Sequence, residues 1–109
     1  MDSSGRGKYL SIYFIVLGRL SVSHEFRWIG WNRDKVASHN VEPEEAEFVV
    51  KHARQPYPKK VDDEKRLVWG QTRSGRYLQV VYLIDIDDTV FVIHARPLTD
   101  REKKRLRRT

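Results

Sequence analysis

Three segments rich in apolar and β-branched residues, 66–72, 76–84 and 89–96, follow one another across very short connections. Strands joined so closely run antiparallel, because a parallel pair needs a crossover of about a dozen residues or more. The second half of the chain is thereby committed to an antiparallel meander, turning at Ser74-Gly75 and at Asp85-Ile86-Asp87-Asp88. Ahead of it, Phe26 and Trp28 alternate with polar neighbours as in a short strand, and two helical signals follow. Asn32 is a favoured N-cap, Trp31 is placed to staple onto Val36, and Asn40 can close the first helix in the left-handed conformation. Pro43 suits the first position of a second helix, with Glu44 and Glu45 favourable to its dipole. Ala46, Val49, Val50 and Ala53 form its apolar stripe, and Glu47 pairs with Lys51 on the solvent side. After the meander, Thr99-Asp100-Arg101-Glu102 is a capping box that opens a helix whose one apolar residue is Leu106. The expected class is α+β: two short helices packed on one face of a small antiparallel sheet, with a basic C-terminal helix.

Composition narrows the chemistry. The 109 residues contain no cysteine, which removes disulfides, thiol nucleophiles and thiolate metal sites. Four histidines without HExxH spacing argue against zinc, and Asp85–Asp88 lacks the glycine and distal glutamate of a calcium loop. There is no glycine-rich phosphate loop or nucleophile elbow, so neither a metal nor a cofactor is expected. The 21 lysines and arginines exceed the 15 acids by six. Most of that surplus lies from Arg96 onward, where seven cations face two acids. A basic end of this kind suits a polyanionic partner.

Residues 1–21 read as an N-terminal extension, either disordered or the product of an upstream start codon, ahead of a domain over 22–109. The apolar run at 9–17 is far shorter than the roughly 20 residues that span a bilayer, so no membrane partner is expected. It has the length of a signal-peptide core, but Arg19 follows it and no small-x-small cleavage pattern appears. The expected location is cytoplasmic.

Taking both turns as even in length, Thr72 pairs with Tyr77, Gly70 with Gln79, Gln79 with His94 and Tyr77 with Arg96. Period-two alternation then gives a core face of Leu67, Trp69, Leu78, Val80, Tyr82, Ile84, Phe91, Ile93 and Ala95. The opposite face carries Arg66, Val68, Gly70, Thr72, Tyr77, Gln79, Val81, Leu83, Val90, Val92, His94 and Arg96. Thr72, Tyr77, Gln79, His94 and Arg96 converge at its polar end, joining an imidazole, a guanidinium able to hold phosphate and an aromatic able to stack on a base.

Four motifs in series resemble the BrnT family. They are Trp31-Asn32-Arg33-Asp34-Lys35, His39-Asn40-Val41-Glu42-Pro43-Glu44-Glu45-Ala46, the run from Arg66 to Arg76, and Ile93-His94-Ala95-Arg96-Pro97-Leu98-Thr99-Asp100-Arg101-Glu102. The resemblance covers roughly residues 24–108. The family comprises small ribonuclease toxins of type II toxin–antitoxin modules with a fold similar to RelE. The resemblance implies an mRNA-cleaving protein that arrests translation, and a DNA-binding antitoxin that complexes it and represses the operon. Matching positions are Lys35 and His39 on the first helix, Arg76 on the central strand, Arg96 at the end of the last strand and Arg101 on the final helix. Asn40 stands where the family commonly has glycine and Glu42 where it has serine. His94 stands where many members have serine, so the family does not support a catalytic role for it.

Metal-independent RNA cleavage needs a base for the 2′-hydroxyl, a cation beside the developing phosphorane and an acid for the leaving oxygen. The candidate catalytic residues are Arg96, His94 and Arg76. The candidate RNA contacts are Lys35, His39, Arg66, Tyr77, Gln79 and Arg101. For Arg96 the competing reading is a salt bridge to Asp100 or Glu102. The alternative function is a non-catalytic RNA- or protein-binding module that retains the fold.

Overall fold

The structure, a computed structural model, describes residues 25–108. Helices α1 (Gly30–Ala37) and α2 (Pro43–Lys51) precede the strands β1 (Lys59–Lys60), β2 (Lys65–Gln71), β3 (Tyr77–Ile84) and β4 (Val90–Pro97). Helix α3 (Asp100–Arg108) follows. The four strands form one antiparallel sheet in chain order. β1, within a segment that reads as a charged loop, pairs only Lys59 with Leu67 and Lys60 with Arg66. Phe26 makes a single parallel bridge to Val90 rather than a strand. The apolar run at 9–17 lies outside the described residues.

Val36, Val41, Ala46, Val49 and Val50 from the helical half are buried with Val68, Leu78, Val80, Tyr82, Val90, Val92 and Ala95 of the sheet. This valine-rich core fits a small sheet, since β-branched side chains stack well on a pleated surface. Gly70 lets α2 come close: a Cβ there would stand 3.3 Å from a Val49 methyl.

Both hairpins close with the same odd-length loop, which corrects the expected register. The Thr72 N–H donates to Arg76 O, and the Gly75 N–H to Thr72 O, around the three residues 73–75. In the second hairpin the Asp85 N–H donates to Thr89 O, and the Asp88 N–H to Asp85 O, around residues 86–88. The third loop residue is left-handed in each, Gly75 at φ 98° and Asp88 at φ 68°. That is the geometry of a type I turn followed by a left-handed residue. The Thr72 hydroxyl accepts the Arg76 N–H at 3.0 Å, which fixes the first loop further.

The odd count places Trp69 opposite Gln79 and Val68 opposite Val80. β2 is therefore turned over: Val68 is buried on the core side with Gly70 and Thr72, and Leu67 and Trp69 lie on the other face. β4 starts equally inverted, with Val90 and Val92 buried where Phe91 and Ile93 were expected. A bulge then leaves Ile93 unpaired between the pairs Tyr82–Val92 and Val81–His94. One extra residue restores the expected sides, putting Ala95 in the core and Arg96 opposite Gln79.

Helix α1 starts earlier than its cap signal indicated. Ile29 is the extended N-cap and Asn32 sits inside the first turn, fully buried. The Asn32 Oδ1 accepts the Ile29 N–H at 2.7 Å, and its Nδ2 donates to Arg27 O at 3.1 Å. Trp31 stacks on Phe91 instead of stapling onto the buried Val36. Asn40 does take the left-handed conformation, at φ 61°, where α1 ends. Glu47 accepts the Trp28 Nε1–H at 2.7 Å and Lys51 lies over Phe26, so the expected Glu47–Lys51 pair gives way to two tertiary contacts.

Replacing Asn32 by leucine removes the acceptor of the Ile29 N–H and the donor to the Arg27 carbonyl at the first turn of α1. An Asn32→Leu variant should lose about 2 kcal/mol or more in urea unfolding at unchanged m-value.

Candidate functional site

Strand β4 ends the sheet, and α1 packs against it. This packing sets the ring of His39, just past the end of α1, edge-on to the ring of His94, with centroids 5.6 Å apart and planes at 66°. Burial, first, and then the neighbouring His39, Arg96 and Lys35 hold the His94 imidazole below its usual value. His94 is accordingly a neutral proton acceptor at pH 7.

Lys35 lies one helical turn before His39, with its ammonium 5.5 Å from the Trp31 ring centre. Trp31 in turn lies 6.1 Å from Phe91 and nearly parallel to it, and the Arg27 guanidinium covers Phe91 at 4.3 Å. Trp31 remains 51% exposed even with Phe91 and Lys35 on its ring, so part of an aromatic surface stands open on α1. It escaped sequence reasoning because the motif suggested a staple. Its i, i+4 spacing to Lys35 was the available signal.

Arg96 is held on several sides. Its two terminal nitrogens reach the two Glu102 oxygens at 2.8 and 2.9 Å, with further bonds to Pro97 O and to Gln79 Oε1. Of the two acids weighed as salt-bridge partners for Arg96, Glu102 is the one engaged. Glu102 also accepts the Thr99 N–H, while the Thr99 hydroxyl accepts the Glu102 N–H, which completes the expected capping box. These bonds, led by the one from Arg96, bring the Glu102 carboxyl down to about 2. The Gln79 Oε1 accepts the Trp69 Nε1–H as well, so one hydrogen-bonded row crosses β4, β3 and β2. Helix α3 lies over this row, with Arg105 above Trp69 and with Lys103 and Arg107 above Tyr77.

Of the residues singled out from sequence, His94, His39, Lys35 and Arg96 come together, and Gln79 and Tyr77 adjoin them under α3. The others lie elsewhere. Arg76 binds both Glu45 oxygens, at 2.9 and 3.0 Å, and the Asn40 carbonyl at 2.9 Å. It thus anchors the turn that carries His39 instead of facing His94. Arg66 shares the core side of β2 and turns its guanidinium to the carbonyls of Asp62, Asp63 and Lys65. Arg101 is exposed on α3.

Among the described residues no group of three or more histidine, aspartate or glutamate side chains is arranged to hold a metal ion. No described helix is long and apolar enough to cross a membrane. No protein-family model, no curated protein and no solved structure matches this chain.

The Glu102 carboxyl sits near 2 when folded, against an ordinary value of about 4.3. Its stabilising contribution is therefore complete above roughly pH 4.5 and fades as the pH falls towards 2. Acid titration should release α3 over that interval, seen as lost helicity in far-ultraviolet circular dichroism. Glu102→Gln should abolish this step and cost on the order of 1 kcal/mol at neutral pH.

Proposed function

We propose that the protein is a metal-independent endoribonuclease toxin of the BrnT type, RelE-like in fold, which cleaves RNA to halt translation and is restrained by a cognate antitoxin. The observation that carries this reading is the meeting of His94 and His39 beside Lys35 and Arg96. Two imidazoles at one place supply the two proton transfers of the reaction, and two cations flank the phosphate's position. Neutral His94 takes the proton of a ribose 2′-hydroxyl. The freed oxygen attacks the adjacent phosphorus, and the bond to the 5′-oxygen of the next nucleotide breaks. His39 protonates that oxygen, leaving a 2′,3′-cyclic phosphate and a 5′-hydroxyl. Lys35 and Arg96 offset the charge that builds on the phosphorane. Glu102 orients Arg96, and Arg76 is a positioning residue that steadies the turn bearing His39. The resemblance of the four motifs to BrnT sequences supports this reading, and the basic α3 suits an RNA or an acidic antitoxin surface.

Purified protein should cleave labelled RNA in the presence of EDTA. His94→Gln should lower the rate by about 100-fold or more without lowering the melting temperature. An unchanged rate in that variant would remove His94 from the reaction, and binding without cleavage by the native protein would favour the non-catalytic module.

The acid side of the rate profile follows from the lowered His94. A base titrating below the usual value of about 6.5 stays competent down to that pH, and its activity declines only at more acidic pH. On lowering the pH the rate should begin to fall only below about pH 6.5, and an acid limb that already begins above pH 7 would contradict the assignment of His94 as the base.

A further inference from the structure

A large concavity lies away from the imidazole pair, between the end of α2, the segment before β1, β2 and α3. It is a groove of about 620 Å³. Tyr57 and Trp69 stand in it with rings 6.2 Å apart and 26° from parallel, and Phe48 and His52 stack at 4.0 Å. Cations crown these rings: Lys59 over Tyr57 at 5.4 Å, Arg105 over Trp69 at 5.3 Å and Arg73 over Phe48 at 4.9 Å. Arg54 and Arg107 line the groove, and among the described residues no carboxylate does.

Flat aromatic faces combined with positive charge are the physical requirements for holding unpaired bases, which stack while their phosphates meet the cations. An acidic peptide would use the charge but leave the rings without a purpose. We infer that this groove binds unpaired nucleobases of a single-stranded nucleic acid, with Tyr57 and Trp69 as the stacking platform and Arg107 as a phosphate contact. Trp69 is also the end of the hydrogen-bonded row that starts at Arg96. The groove and the imidazole pair are thus joined across the sheet, and one strand occupies both. This last step rests on the nuclease reading; binding in the groove does not.

The test uses the full chain and a short single-stranded RNA, 2′-O-methylated throughout so that it cannot be cleaved. Binding should quench tryptophan fluorescence, and Trp69→Phe should remove most of the quench while keeping affinity within about twofold, because a stacking ring remains. Tyr57→Ala should weaken RNA binding about tenfold, Tyr57→Phe should restore it, and affinity for inorganic polyphosphate should change less than about twofold. Should Tyr57→Ala fail to fold, His52→Ala at an exposed position repeats the comparison. Three results would each overturn the inference: equal losses for RNA and polyphosphate, a quench undiminished by Trp69→Phe, or a polyglutamate peptide whose own binding depends on Tyr57 and displaces the RNA. A protein that passes these tests but cleaves no unmodified RNA keeps the groove and loses the nuclease assignment.

Discussion

The pairing of Thr72 with Arg76 around three residues governs every placement on the sheet, because strand side chains alternate with period two. An even loop would turn β2 over. Val68 and Gly70 would leave the core, α2 would lose its close approach at Gly70, and Trp69 would no longer reach Gln79. The loop is secured by backbone chemistry that few residue types allow: a left-handed Gly75 and a Thr72 hydroxyl that takes the Arg76 amide. The second hairpin repeats the solution with Asp88 in the left-handed position, a conformation aspartate tolerates better than most residues.

The bulge at Ile93 is the counterpart of those loops. The second odd loop puts Val90 and Val92 in the core, and an uninterrupted ladder would send His94 and Arg96 inward after them. One unpaired residue turns His94 toward α1 and Arg96 toward α3 while Ala95 fills the core. Bulges recur where a strand must re-aim a side chain. Here it aims the two residues on which the proposed chemistry depends most. Burial among cations keeps His94 neutral, and Glu102 holds Arg96 in one orientation.

The elements were legible because each carried a local signal. Pro43 and the Ala46–Val49–Val50 stripe announced α2, Thr99 with Glu102 announced α3, and the β-branched runs announced three strands. The sides of those strands were not legible from the runs themselves. Ser74-Gly75 looks like a two-residue turn, and only the tertiary closure shows that Arg73 belongs to the loop. Within the site, His94, His39, Lys35 and Arg96 were recognisable as candidates, but their proximity is a product of α1 packing on an edge strand. Arg76 looked like an isolated charge beside a turn. Its partners, Glu45 and the Asn40 carbonyl, are some thirty residues earlier and invisible to any local pattern. Asn32 misled for a related reason: a residue that caps well also serves when buried, if two backbone groups need its amide.

The acidic turn at Asp85, Asp87 and Asp88 lies at one end of β3 and β4, and the basic helix α3 begins at the other. Within the described residues the eight-residue length of these strands therefore separates a turn of three carboxylates, one of them bound by Arg27, from a helix of six cations and two acids, and these two groups form a dipole along the sheet. A polyanion at a distance feels a torque before it feels any contact, and the domain is rotated so that its α3 end leads the encounter. That rotation raises the share of collisions that begin at the basic end. It weakens as added salt shortens the range of the field.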